Sequence, residues 1–441
     1  MIKVITYGTY DLLHYGHIKL LERAKALGDY LIVGITSDDY DKARGKINNQ
    51  QSLVERISAV LATGLVDEII VEEYEGQKID DIKRHGVDIF TVGSDWKGTF
   101  DYLGEFCKVV YLERTEGISS SELRAENRSL KMGIVGNSLF LNKVLNESRY
   151  VNGLEINTVY TDNISNMSDS VKGVKNICDS FDETLEKSDV LYICSDPILH
   201  YEQIKKAFSA GKHVLCESPI AVQKEQLDEL FQIAKDKKLV LMEAIKTAYS
   251  TAYSRLLLLL KSGKIGEVVS VDATCTSIRD TLTSGIDCHY CLNEWGPTAM
   301  LPVFQVLGTD VKEKYSVAKF DKNNNVIFAK VDFIFENATA TIKIGDGVKS
   351  EGSLVISGTK GYVYVPAPWW NTEYFEVRYE DPKNNKRYFY QLDGEGIRYE
   401  LVAFVKAIET AKDYSNIPSQ VSTAICEVCE DFYNNKLIKR I

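Results

Sequence analysis

The sequence predicts an α/β protein in three parts: an N-terminal HxGH-bearing, Rossmann-like unit, a second Rossmann unit, and a C-terminal α/β unit with a mostly antiparallel sheet. Three observations predict it. Short apolar runs alternate with helical stretches twice over, in residues 3–112 and again in 131–242. Beyond residue 266 the texture changes to long runs of β-branched residues. Between the two alternating blocks, Arg124-Ala125-Glu126-Asn127-Arg128-Ser129 is polar and reads as a linker. The boundaries expected are 1–129, 130–245 and 246–441.

In the first unit a strand over residues 3–7 leads through a glycine-containing loop to a helix at about 16–27, then to a strand at 30–35. The rhythm repeats through 69–71, 79–83, 89–92 and 109–112, which predicts a parallel sheet with right-handed crossovers. The second unit opens at Lys131-Met132-Gly133-Ile134-Val135-Gly136 and continues through 156–160, 190–194, 213–216 and 240–242. In the third, 268–274, 326–335, 338–344 and 361–365 read as strands, and 399–411 and 419–434 as helices. The chain has no internal repeat.

With 44% hydrophobic and 26% charged residues, the composition is that of a soluble globular protein. The longest apolar run, Leu256-Leu257-Leu258-Leu259-Leu260, falls far short of the roughly 20 residues that span a bilayer. The N-terminus runs straight into a strand without a signal-peptide core, so a cytoplasmic protein with no membrane association is expected. A net charge of −11 argues against sequence-independent nucleic-acid binding, while a local basic pocket for small anions remains compatible with it. Nine cysteines in such a chain predict free thiols. Cys288/Cys291 and Cys426/Cys429 have zinc-like spacing, but the pairs lie far apart and the second falls in a helical pattern, so buried thiols are the better reading.

The chemistry-bearing segment is Thr6-Tyr7-Gly8-Thr9-Tyr10-Asp11-Leu12-Leu13-His14-Tyr15-Gly16-His17. It follows a strand and opens a helix, so backbone N–H groups and the helix dipole face an anion there. His14 and His17 are three apart and lie on one side of the helix start, and Gly16 lets a triphosphate approach the backbone. Two such histidines alone read equally as metal ligands or idle surface groups; the strand-to-helix turn beside Gly8, Thr9, Tyr10 and Asp11 favours phosphate chemistry.

This segment resembles the HxGH nucleotidyltransferases. With Arg23-Ala24-Lys25-Ala26-Leu27-Gly28-Asp29-Tyr30 and Arg114-Thr115-Glu116-Gly117-Ile118-Ser119, residues 1–126 look like the glycerol-3-phosphate cytidylyltransferases in particular. The resemblance implies transfer of CMP from CTP, with magnesium, to glycerol 3-phosphate or a related polyol phosphate, for a cell-surface polymer such as teichoic acid or a capsule. It implies His14, His17 and Arg114 as catalytic groups, and Arg44, Lys46 and Arg56 as phosphate-neutralising cations, with Ser119 near the β- and γ-phosphates. Lys78, Trp96 and Thr115 complete the implied substrate contacts. Asp11 and Asp95 stand as ligands of magnesium, the ribose or a glycerol hydroxyl. The chain departs from the family at Arg44, where lysine is usual, at Lys97, where an acidic residue is common, and at Ser120-Ser121, where threonines are usual. It also has a one-residue insertion near residues 48–51.

From residue 131 onward the chain resembles the Gfo/Idh/MocA oxidoreductases. The resemblance rests on Ser195-Asp196-Pro197 with His200, Ala210-Gly211-Lys212-His213-Val214-Leu215-Cys216-Glu217-Ser218-Pro219, Met242-Glu243-Ala244, and the glycine-containing segments 262–268 and 356–361. It implies an NAD(P) site, with Gly136, Ser138, Asp162, Ser195, Pro197 and Glu217 as candidate contacts. Three positions depart from the family. The dinucleotide turn, Gly136-Asn137-Ser138-Leu139-Phe140-Leu141, keeps one glycine of GxGxxG. Ser218 stands where the family carries a catalytic lysine. Glu294 and Thr298 stand where it carries an aspartate and a histidine or tyrosine. Serine and threonine are poor proton donors near neutral pH, so loss of the usual dehydrogenase activity is the expectation; His200, His289 and Tyr290 remain as alternative acids, but a packed or surface residue is the better reading of each. The body then serves as an assembly platform for a homodimer or higher homo-oligomer, or as a binder of NAD, nucleotide or product. The rival reading is a bifunctional enzyme that also performs an NAD(P)-linked step on the polyol phosphate or its keto precursor.

Overall fold

Val4, Ile5, Leu31, Ile32 and Val33 are fully buried, and strands apolar on both faces belong inside a parallel sheet flanked by helices. The computed structural model of the chain has that arrangement. It describes every residue except 44–48, 50, 75, 114–128, 279–289, 323, 325, 391, 393, 435 and 437. Two compact units divide the chain, Met1–Ser129 and Leu130–Ile441.

The first unit contains β1 (Lys3–Gly8), α1 (Tyr15–Lys25), β2 (Tyr30–Thr36), α2 (Asp38–Ala43), α3 (Leu53–Ala62), β3 (Glu68–Glu72), α4 (Gln77–His85), β4 (Ile89–Gly93) and β5 (Lys108–Leu112). Its sheet is wholly parallel, in the order β3-β2-β1-β4-β5. Strand order reverses between β1 and β4, where open α/β sheets leave a crevice at the carboxyl ends of the strands. Leu21 and Val60 pack with Val4, Leu31 and Val33 on one face. Ile82 packs with Ile5, Ile32 and Phe90 on the other. A capping box between Ser52 and Glu55 fixes the start of α3.

The second unit opens with β6 (Leu130–Val135), α5 (Phe140–Ser148), β7 (Leu154–Tyr160), α6 (Asp169–Lys172), β8 (Asn176–Cys178), α7 (Phe181–Lys187), β9 (Val190–Ile193), α8 (Pro197–Ser209), β10 (His213–Glu217), α9 (Lys224–Lys237) and β11 (Leu241–Ala244). These strands pair in parallel in the order β11-β10-β9-β6-β7-β8. That is the doubly wound Rossmann order, with its switch point between β6 and β9. Gly136 closes β6 at φ 146°, and a Cβ there would lie 2.4 Å from the Cys194 carbonyl oxygen. Gly136→Ala is therefore expected to destabilise this unit by about 1–3 kcal/mol, read as a lowered urea midpoint; an unchanged midpoint would mean that the turn relaxes freely.

The rest of this unit comprises α10 (Thr251–Lys261), β12 (Val268–Ser277), α11 (Tyr290–Leu307), β13 (Glu313–Phe320), β14 (Val326–Ile334), β15 (Thr339–Asp346), β16 (Leu354–Gly358), β17 (Tyr362–Val365), β18 (Tyr374–Arg378), β19 (Lys386–Phe389), α12 (Ile397–Thr410), α13 (Ser419–Tyr433) and β20 (Ile438–Arg440). The nine-stranded sheet runs β19-β18-β17-β16-β12-β15-β14-β13-β20. Only β12–β15 and β13–β20 pair in parallel, so the sheet is mixed and mostly antiparallel. Cys426 and Cys429 are buried on α13, and the eight described cysteines are free thiols. Cys288 lies outside the described residues. Among the described residues no helix is long and apolar enough to cross a membrane.

Candidate active site

In the first unit, β1 delivers the HxGH segment to the switch point of the sheet. Tyr10 folds back over Gly8, where a Cβ would come within 2.9 Å of its ring. Tyr10 and Leu12 are both left-handed, at φ 55° and 48°, a conformation costing roughly 1–2 kcal/mol for each such residue. Burial raises the Tyr10 hydroxyl above its ordinary range, so it stays protonated. His14 caps α1: its Nδ1 accepts the Gly16 N–H at 3.1 Å. An accepting Nδ1 leaves the proton of the neutral ring on Nε2. The His14 and His17 rings stack with centroids 3.8 Å apart, and Tyr10 meets His17 edge-on at 5.4 Å. No acidic residue occupies the first turn of α1, which leaves its positive end available to an anion.

A buried network fixes the loop. Arg56, fully buried on α3, donates to the carbonyls of Thr9 at 2.7 Å and Thr36 at 3.0 Å, and pairs with Asp38. Asp41, also fully buried, lies 3.5 Å from Arg56 and accepts from Thr36 and Asn49 at 2.7 Å each. The Gln51 N–H donates to the Asp11 carboxylate at 3.0 Å, and the Leu12 N–H donates to the Gln51 side chain at 2.9 Å. Loop, α2 and α3 thus form one polar unit.

The sequence expectation places Arg56 on substrate phosphates and Lys78 among the substrate contacts; the structure engages both side chains within the protein. The Arg56 guanidinium is committed to main-chain carbonyls and two aspartates. Lys78 is buried in an ion pair with Glu72, its ammonium 4.6 Å from the Tyr7 ring centroid. Gly8, Thr9, Tyr10, Asp11, His14, Gly16 and His17 are brought together at the loop. Trp96, in the short helix Ser94–Trp96 after β4, is 39% exposed and lies 5.9 Å from Phe100. Arg44, Lys46, Arg114, Thr115 and Ser119 lie outside the described residues, as does the Asp95 side chain. Among the described residues no group of three His, Cys, Asp or Glu is arranged to hold a metal. Asp41 and Gln51 are contributors that sequence reasoning missed.

The second unit carries a cleft of about 700 Å³ at the carboxyl ends of β6, β9 and β10. Ser138, Ser195, Pro197, Glu217 and Ser218 line it, with Glu294 and Thr298. Asp162 does not. Its N–H donates to Asn137 Oδ1 at 2.8 Å, and its carboxylate accepts from the Asn137 amide at 3.3 Å. Ser218 donates to the buried Glu243. His200 is packed rather than presented as an acid: it is fully buried, its two ring nitrogens lie 2.9 Å from the Pro219 and Ser195 carbonyls, and burial holds its pKa down. His289 and the Tyr290 side chain lie outside the described residues. The sequence reading missed Lys143 and Lys246, which line the cleft and grip Glu395 at 2.9 and 2.6 Å. Lys246 stands just beyond the matching Met242-Glu243-Ala244 segment, where it could have been found.

Burial raises Glu217 to about 7, opposed by its hydrogen bond from Tyr192. It also raises Glu400 well above the usual carboxylate range, with the charge of Glu217 adding to the effect. A raised carboxyl binds its proton more tightly in the folded state. Its contribution is therefore complete below the ordinary carboxylate range and is lost as pH rises through the folded value. Glu400→Gln should then gain stability relative to wild type as pH rises above the ordinary carboxylate range, measured as the difference in urea midpoints; a difference independent of pH would show that Glu400 does not titrate abnormally.

Two protein-family models match the chain: one described as cytidylyltransferase-like, over residues 5–126, and one described as an oxidoreductase family with an NAD-binding Rossmann fold, over residues 130–245. Glycerol-3-phosphate cytidylyltransferase of Bacillus spizizenii is 51% identical over 130 residues, 30% of this chain and 100% of that protein. The Staphylococcus aureus enzyme of the same name is 47% identical over 126 residues, 29% of this chain and 95% of its own length. A 3-ketoreductase from Actinomadura kijaniata, solved in complex with NADP and TDP-benzene, superposes with a TM-score of 0.62 at 18% identity, covering 71% of this chain and 99% of that one. At that identity the likeness establishes the fold. Through residues 5–126 the chain belongs to the glycerol-3-phosphate cytidylyltransferase family, and an oxidoreductase-family Rossmann domain follows in the same polypeptide.

Proposed function

We propose that the N-terminal unit transfers CMP from CTP to glycerol 3-phosphate or a related polyol phosphate, giving a CDP-polyol and pyrophosphate. The observation that carries this is the stacked His14–His17 pair at the start of α1, set at the switch point of a sheet whose sequence is half identical to enzymes of that name. A phosphate oxygen of the acceptor attacks the α-phosphorus of CTP. The new P–O bond forms as the α–β bridging bond breaks, and its electron pair leaves with pyrophosphate. The nucleophile is already ionised, so the protein's work is positioning and charge neutralisation. His14, through Nε2–H, and His17 donate to the transferring phosphoryl group and the leaving pyrophosphate, where charge builds up. The α1 amides receive a phosphate. Arg56 and Asp41 hold the loop in register.

The family likeness adds Arg44, Lys46, Arg114, Thr115 and Ser119 as triphosphate partners, and Asp95 and Trp96 on the sugar or acceptor side. Magnesium bound to the triphosphate would supply further charge neutralisation. Phosphorus NMR of the full chain with CTP, magnesium and glycerol 3-phosphate tests the reading: the paired resonances of a CDP ester should appear with pyrophosphate, and ATP should not substitute. Disappearance of CTP to CDP and inorganic phosphate alone would sink it.

A second reading rests on the cleft of the C-terminal unit as a site for NAD(P), a reading that the likeness to dinucleotide-binding proteins supports. It lies at the switch point between β6 and β9, the place where doubly wound sheets bind dinucleotides, and no acidic residue occupies the first turn of α5. The residues fit the group, although the last glycine of the usual turn is Leu141, buried in the core. Enhanced NADH or NADPH fluorescence on adding the protein is expected; no change with either would remove the reading.

A further inference from the structure

Tyr192, Glu217 and Glu400 form a hydrogen-bonded chain that ends in the C-terminal cleft. The Tyr192 hydroxyl is in close contact with the Glu217 carboxyl and lies 3.1 Å from that of Glu400. A phenol has one proton and donates to one acceptor. The second contact is a hydrogen bond only if that carboxyl is protonated and donates to the Tyr192 oxygen. Glu400 is the group that carries this proton: it is fully buried, and its other oxygen has no partner. An ionised carboxylate there would be desolvated, short of donors and beside a second carboxylate.

Glu217 differs in lining the cleft. Lys246, after β11, faces both carboxyls and favours their ionised forms, while Glu294 on α11 and Glu243 on β11 oppose ionisation of Glu217. The thiols of Cys194 and Cys216 stay protonated through burial. The adjacent Ser218 is turned to Glu243 and offers the cleft no cation. One carboxyl in this cleft is thus backed by a buried proton reservoir, at the position next to the missing lysine.

We propose that Glu217 is the acid–base residue of this cleft, coupled through Tyr192 to the proton held on Glu400, and that its ligand is a secondary alcohol or the matching ketone. The proposal rests on the cofactor reading above. Oxidation of the alcohol breaks a C–H and an O–H bond and forms C=O; the hydride passes to NAD(P)⁺ and the proton to Glu217. In the reverse direction Glu217 returns the proton to the carbonyl oxygen as the hydride arrives from NAD(P)H. Tyr192 and Glu400 are positioning residues that set the proton affinity of Glu217.

Infrared pH-difference spectra of the full chain test the shared proton without any ligand. A protonated-carboxyl stretch should persist in wild type above the pH at which Glu217 titrates and vanish in Glu400→Gln, while Glu217→Gln should remove a separate band that titrates near 7. No persistent band, or the same band in Glu400→Gln, overturns the coupling. Tyr192→Phe, which keeps the packing, should shift the Glu217 titration; an unmoved titration also overturns it. Reduction of dihydroxyacetone phosphate and ribulose 5-phosphate by NADH or NADPH tests the chemistry. At saturating cofactor, Glu217→Gln should lose about 10²-fold or more in turnover. Wild-type turnover in that variant overturns the role of Glu217, and binding of cofactor with reduction of neither probe overturns the ligand class. Failure to bind NADH or NADPH defeats the cofactor reading itself, a result distinct from either infrared outcome.

Discussion

His17→Ala is expected to lower CMP transfer by about 10²–10³-fold or more, chiefly in kcat, with the N-terminal unit still folded. The imidazole stacks on His14 at 3.8 Å and meets Tyr10 at 5.4 Å, so its place is set by the loop that β1 delivers. A donor whose hydrogen bond strengthens as charge moves onto pyrophosphate lowers kcat when lost and leaves ground-state binding of CTP largely intact. The fold should survive because the cap of α1 belongs to His14, and the helix is anchored by buried Leu21 and Ala24. His14→Ala is a less clean variant, since it also removes a cap worth about 0.5–2 kcal/mol. Steady-state kinetics with circular dichroism on the same preparations check the expectation; a folded His17→Ala enzyme with near-normal kcat would mean that the reaction does not use this pair.

Arg56→Met should destabilise the N-terminal unit by about 3–5 kcal/mol, more than any packing change of that size. Methionine fills the space of the stem but leaves Asp41, fully buried, without its cation. It also frees the carbonyls of Thr9 and Thr36, which Arg56 ties together across the ends of β1 and β2. Combining it with Asp41→Asn should restore part of the loss, because the unpaired buried charge is then gone. Urea unfolding of the single and double variants decides the matter. If Arg56→Met were as stable as wild type and only raised KM for CTP, the guanidinium would be a triphosphate ligand after all.

Arg56 shows where sequence reasoning reaches its limit. A cation a few dozen residues from a glycine-containing phosphate loop looks the same whether it faces a triphosphate or a buried aspartate. One signal was present: Arg56 and Val60 are four apart and share the buried face of α3, a placement unusual for an arginine meant for solvent. The histidines were legible because their geometry is local, set by a strand end and the first turn of one helix. The fold was legible for a related reason: alternation of apolar runs and helical stretches records a parallel sheet directly. Helix α11 was not, since Pro297 and Pro302 lie inside it and read as breakers. The Tyr192–Glu400 contact joins residues 208 apart, and no periodicity records such a pairing. The Glu217-Ser218-Pro219 segment did show that a lysine is absent, but only the folded cleft reveals what stands beside the gap.

The most direct test of the central claim is continuous detection of pyrophosphate from the full chain with CTP and magnesium, with and without glycerol 3-phosphate. The account predicts release that requires the acceptor, saturates with both substrates and collapses in His17→Ala. Release that ignores every polyol phosphate offered, or none at all from a folded protein, would contradict it.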